Sequence, residues 1–78
     1  MKEHDRVVLK CHLSDQSLEA GDVGTIVHSY KDGKAFEIEF VSLDGATMIV
    51  ATVEASQVRA VDKREMTHAR QIETNLTL

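Results

Sequence analysis

The sequence predicts a mostly β fold: a small barrel of about five strands over residues 1–61, then a C-terminal tail, 62–78, that is helical or disordered. Three observations predict it. Ala20-Gly21-Asp22-Val23-Gly24-Thr25-Ile26-Val27 sets a glycine turn directly before a β-branched run. Phe36, Ile38 and Phe40 alternate with Glu37 and Glu39, the pattern of a strand with one buried and one solvated face. Asp32-Gly33, Asp44-Gly45 and the polar run 54–57 cut the remainder into short pieces, and short strands at such spacing build barrels or barrel-like sandwiches.

Arg6 to Cys11 is the first strand, with Val7, Leu9 and Cys11 on one face and Lys10 on the other. His12 to Ala20 is polar and aperiodic, a loop with one helical turn around residues 16–18. Gly21-Asp22 turns the chain into strand two, Val23 to Tyr30. Gly24 lies inside that strand, where a glycine marks a bulge or a close backbone approach. A strongly bent second strand is what a small barrel needs in order to close.

Lys31-Asp32-Gly33-Lys34 is a hairpin loop, and strand three is the alternating Phe36–Phe40 segment. After the turn at Ser42-Leu43-Asp44-Gly45 comes strand four, Thr47 to Val53. It is apolar on both faces through Met48, Ile49, Val50 and Ala51, so it is either central or covered on one face. Residues 54–57 give about one 3₁₀ turn, and Val58 to Val61 a short closing strand. In the tail, Asp62 and Glu65 have capping-box spacing, and Met66, Ala69, Ile72 or Glu73, and Leu76 follow at helical intervals. That stripe is too thin to hold a helix alone, so its order depends on a partner surface, its own or another chain's.

A chain of 78 residues is one domain, near the lower end of what a single core stabilises. Its 42% apolar content excludes global disorder, and the lack of Trp leaves Val, Ile, Leu and Met to build most of the core. Cys11 is the one cysteine, which excludes an intrachain disulfide and a thiolate metal cage. A charged N-terminus and the lack of any stretch of spanning length point to a reducing, cytoplasmic setting with no membrane contact. The net charge of −4 resides entirely in residues 1–61, which hold six Lys/Arg and ten Asp/Glu. Such a surface repels phosphate backbones and disfavours nucleic acid as a partner.

The Gly21–Val27 run, followed by Phe36-Glu37-Ile38-Glu39-Phe40 and Gly45, resembles the KOW-type SH3-like barrel pattern. In that pattern a G-x-x-G-x-V turn and strand precedes a strand of V-E-F character. The chain looks more closely like a family of small bacterial barrels classed as a domain of unknown function. They share G-D-x-G-T-V-V, a Y/F-x-V/I-E-F strand, a D-G turn and a short last strand. The likeness covers about residues 5–61 and implies an SH3-like barrel of five strands. SH3-like relatives bind RNA, ribosomal partners, peptides or enzyme subunits. Members of the small bacterial family are often encoded near toxin-like proteins, which implies an immunity- or antitoxin-type role with a basic, toxin- or nuclease-like protein as partner. RNA-binding KOW proteins surround the barrel with Lys and Arg, whereas here Glu37 and Glu39 face outward.

The residues themselves offer little catalysis. His4, His12, His28 and His68 have no metal-ligand spacing, and an approach of His12 to His28 is the one pairing that could matter. Cys11 and His12 are neighbours on a strand and point to opposite faces, so they form no thiolate pair. Glu37 and Glu39 lie roughly 6–7 Å apart, inside the range of glycosidase carboxylate pairs, but the outer face of a small barrel offers no cleft. The Gly21–Gly24 segment lacks the ending of a phosphate loop, and its glycines serve a turn and a bulge.

No enzyme, cofactor or metal is therefore expected. Two features support recognition. The acidic stripe of Asp32, Glu37, Glu39 and Asp44 suits a basic protein partner. The second apolar face, Met48 and Val50 with Ile26, suits docking, unless the tail or a second copy of the chain covers it. The expectation is a non-catalytic protein-binding module. An RNA- or ribosome-associated KOW-type module and an accessory subunit or domain of a larger enzyme are the alternatives.

Overall fold

Alternation decides which face of the sheet is buried. In the computed structural model, which describes residues 1–72, β3 (Ala35–Val41) buries Phe36, Ile38 and Phe40 and turns Glu37 and Glu39 the other way. On one side it pairs with β4 (Met48–Glu54) and on the other with β2 (Val23–Tyr30). The sheet then continues through β1 (Arg6–Leu9) to β5 (Val58–Ala60). All four pairings are antiparallel, the order is β4-β3-β2-β1-β5, and the sheet does not close. Short 3₁₀ turns occupy Ser14–Gln16 and Ala55–Gln57, and the described residues contain no α-helix.

One core serves the whole sheet. Val7 and Leu9 from β1, Ile26 from β2, Ala51 and Val53 from β4, and Val58 from β5 join the three β3 side chains and Leu18. Since β4 and β5 are opposite ends of the sheet, sharing that cluster requires the sheet to curl around it. Cys11 packs partly buried against the same cluster, as a small core residue. Val8 is also buried, on the opposite face from Val7 and Leu9, a burial that alternation in β1 does not predict.

Gly24 and the bulge are separate features. A Cβ added at Gly24 would lie 2.6 Å from Ile38 Cγ2 and 2.9 Å from both the Glu39 carbonyl and Phe40 Cδ1, so the glycine permits close approach of β2 to β3. The bulge comes later, where the register steps from Ile26↔Ile38 to His28↔Glu37 and leaves Val27 as the extra residue. Of the two readings of Gly24 the close approach holds and the bulge is corrected, while Gly21, at φ +98°, serves the expected turn. The extra residue also reverses the parity of β2, which turns His28 outward beside Glu37.

Strand four is corrected as well. It is an edge strand, neither central nor covered: Met48 is 60% and Val50 42% exposed. Ile26, by contrast, is fully buried in the core and does not contribute to that face.

The tail forms its cap without a helix. The Asp62 N–H donates to Glu65 Oε1 at 2.8 Å, and the Arg64 N–H donates to Asp62 Oδ1 at 2.8 Å. Over 62–72 only a turn at residues 63–64 follows. The Arg59 guanidinium takes both Glu65 oxygens, each at 2.7 Å, and holds that turn beside the end of β5. The expected positions Glu73 and Leu76 lie outside the described residues.

Candidate functional site

The register of β2, β3 and β4 builds the outer face. Thr25, Glu39 and Val50 form one cross-strand row, His28, Glu37 and Thr52 the next, and Val41 pairs with Met48 at one end. The structure therefore brings four of the expected residues together: Glu37, Glu39, Met48 and Val50. Val41, 48% exposed, and Leu43, fully exposed on the β3–β4 turn, extend the apolar part. The face is acidic along β3 and apolar at the Met48–Val50 end of β4, which continues outward through Thr52 and Glu54.

Asp32 and Asp44 do not join it. They sit on the turns at opposite ends of β3, which spans about 20 Å. Asp32 has φ +58°, in the left-handed region that the tight β2–β3 turn demands. Asp44 spends its carboxylate locally, accepting from the Ser42 hydroxyl at 2.6 Å and the Ala46 N–H at 2.9 Å. Those bonds, the hydroxyl first, hold its carboxyl below the usual range. The acidic stripe thus contracts to Glu37 and Glu39.

Tyr30 reaches this face because of the bulge. Its hydroxyl donates to Glu37 Oε2 at 3.0 Å, and this bond is the main cause that raises its pKa. The His28 ring meets the Tyr30 ring edge-on with centroids 4.4 Å apart, and His28 Nδ1 lies 3.7 Å from Glu3. Chemically the group offers carboxylate acceptors, one of them, Glu37, held by the Tyr30 phenol, and is suited to receiving cations and donors. His12 is occupied elsewhere, accepting from the Ala20 N–H at 3.2 Å, so His12 and His28 have separate partners. Among the described residues no group of three or more His, Cys, Asp or Glu could hold a metal ion.

A second polar centre escaped the sequence reading. Arg70 donates through Nε to Asp22 Oδ1 at 2.8 Å, through a terminal nitrogen to the other Asp22 oxygen, and to the Ser17 carbonyl at 2.9 Å. Burial pushes the Asp22 carboxyl up, but the Arg70 hydrogen bond, the Glu19 N–H and the charges of Arg70 and His12 outweigh it and leave the pKa lowered. This latch ties the tail to the loop after β1. Between the latched tail and the β3–β4 turn runs a groove of about 640 Å³, lined in part by Phe40, Val41, Leu43 and Ile72.

A family model described as Domain of unknown function (DUF4926) matches residues 3–60. The chain belongs to that family. The DUF4926 domain thus takes in all five strands, Glu37 and Glu39, and both expected apolar positions on β4, while Arg70 lies beyond it. No curated protein and no solved structure matches the chain. Among the described residues no helix is long and apolar enough to cross a membrane.

Proposed function

We propose that this DUF4926 domain is a non-catalytic protein-binding module with an SH3-like architecture and a basic protein as its partner. The observation that carries the reading is the outer face of β3 and β4, where Glu37 and Glu39 stand in register beside exposed Val50 and Thr52. Apolar area supplies affinity there, and the carboxylates supply orientation and faster encounter with a positive surface. An immunity- or antitoxin-type role follows if the partner is a basic, nuclease-like protein whose groove the acidic face covers. The strand order, with both end strands feeding one core, supports the SH3-like reading.

The test is a quantitative pull-down comparing the natural chain with Glu37→Lys combined with Glu39→Lys, repeated after nuclease treatment. The reading expects one basic protein, captured with or without nuclease and lost on charge reversal while the fold stays intact. Capture that vanishes with nuclease identifies an RNA-associated module instead. Capture unaffected by charge reversal removes Glu37 and Glu39 from the interface.

A further inference from the structure

Backbone direction along β4 can be read from its neighbours. The Ala55 N–H donates to the Lys34 carbonyl at 2.9 Å, and the Thr47 carbonyl accepts from the Ser42 N–H at 2.9 Å. Odd-numbered residues of this stretch therefore aim their backbone groups at β3. Alternate residues of an antiparallel strand aim at opposite sides, so Met48, Val50, Thr52 and Glu54 present N–H and C=O to the free edge.

Two glutamine amides already sit on that edge. Gln16 Nε2 donates to the Val50 carbonyl at 3.2 Å, and Gln57 Oε1 accepts from the Glu54 N–H at 2.7 Å. Each supplies the amide group that the peptide of an adjacent strand would bring. Among the described residues the Val50 and Thr52 N–H groups have no such partner. The strand is seven residues long and carries neither Lys nor Pro, the usual devices that blunt an edge.

We propose that this edge accepts an extended basic segment of the partner as a sixth strand, with Gln16 as a displaceable placeholder. The inference rests on the protein-binding reading above and names its mode. Charge selects the occupant. Two copies paired β4 to β4 would place Glu37, Glu39 and Glu54 of both chains on one continuous face with no cation from either β4. A basic strand instead sets Lys or Arg next to Glu54 and about 9–10 Å from β3, a gap that a long cationic stem and a Glu stem close between them.

The test uses the full chain, NMR amide exchange and a capped peptide of four Arg-Val repeats, with a version N-methylated at every residue, so that neither of its edges can donate, as control. The expected result is exchange at Val50 and Thr52 slowed about tenfold or more at saturating peptide, and no effect from the methylated version. Thr52→Pro removes an edge-directed donor without touching the β3 ladder and should weaken peptide binding about fivefold. The methylated peptide keeps the test decisive if that variant folds poorly.

Peptide binding that leaves both amides unprotected, or that survives methylation, overturns strand addition while the binding-module reading stands. Protection that rises with protein concentration alone overturns the basic segment in favour of a second copy. No peptide binding, together with partner capture that still depends on Glu37 and Glu39, overturns strand addition only.

Discussion

The two edges of this sheet are built differently. β5 is three residues long, and two of the backbone groups on its free side are taken up locally: the Val58 N–H donates to the Ala55 carbonyl and the Ala60 carbonyl accepts from Arg59 at 3.2 Å. Arg59 is in turn clamped by Glu65, so the departing chain shields that end. β4 is seven residues long, apolar outward at Met48 and Val50, and among the described residues its free edge is bonded by single glutamine amides at two positions. One sheet has thus kept one edge short and shielded and left the other long and addressable. The teaching is that edge protection is a property of each strand's neighbours and not of the fold.

The largest effect should come from the ground the two edges share. Phe36→Ala removes a fully buried ring and should cost about 3–5 kcal/mol, enough to unfold a domain of this size. Amide exchange should then show β4 and β5 losing protection together. If β5 alone persists, the edges belong to separate cooperative units and the comparison fails.

Next in size is Arg70→Ala, expected to cost about 1–2 kcal/mol because it strips charge-assisted bonds from a half-buried carboxylate. The pH dependence has a fixed sign. The folded Asp22 pKa lies below its usual 3.8, so the latch contributes fully above that value and is lost as pH falls through the folded one. Chemical denaturation at neutral and acid pH should show the gap between wild type and variant narrowing in acid. A gap that widens in acid would contradict the assignment.

Smaller still is Val50→Lys, which plants a cation at the open edge. Stability should move by less than about 0.5 kcal/mol, while self-association on heating should fall, as read by light scattering. Unchanged association would mean that β4 is not the vulnerable edge. The subtlest check lies at the shielded edge. Arg59 holds the Glu65 carboxyl down to about 2, from a usual 4.5, so that clamp should survive until pH approaches that value. An NMR titration of the Glu65 side chain that turns over near 4.5 would show the clamp to be unoccupied in solution.

Much of the strand plan was legible because period-2 alternation and Gly-bearing turns report on local geometry. Val23–Tyr30 is observed with the bounds expected, and the 3₁₀ turn before β5 lies within the expected polar run. What alternation could not report was the bulge at Val27. Nothing in Ile26-Val27-His28 marks the extra residue, yet it turns His28 outward and brings the Tyr30 hydroxyl to Glu37. Edge or centre was equally hidden in Met48–Val53, because an apolar residue on each face reads the same at either position. The acidic stripe was overcounted for a related reason: Asp44 has the same charge as Glu39, but its turn had already claimed it. Arg70 was missed because its partners lie 48 and 53 positions away in sequence.

That separation has a kinetic corollary. Joining residues 22 and 70 before the four strands between them have paired costs the closure entropy of a long loop, whereas the formed sheet has already brought them near. The latch is therefore expected to form late, after the folding transition state. Losing it should leave the refolding rate nearly unchanged and speed unfolding, so that Arg70 governs how long the folded chain lasts without governing how quickly it arises.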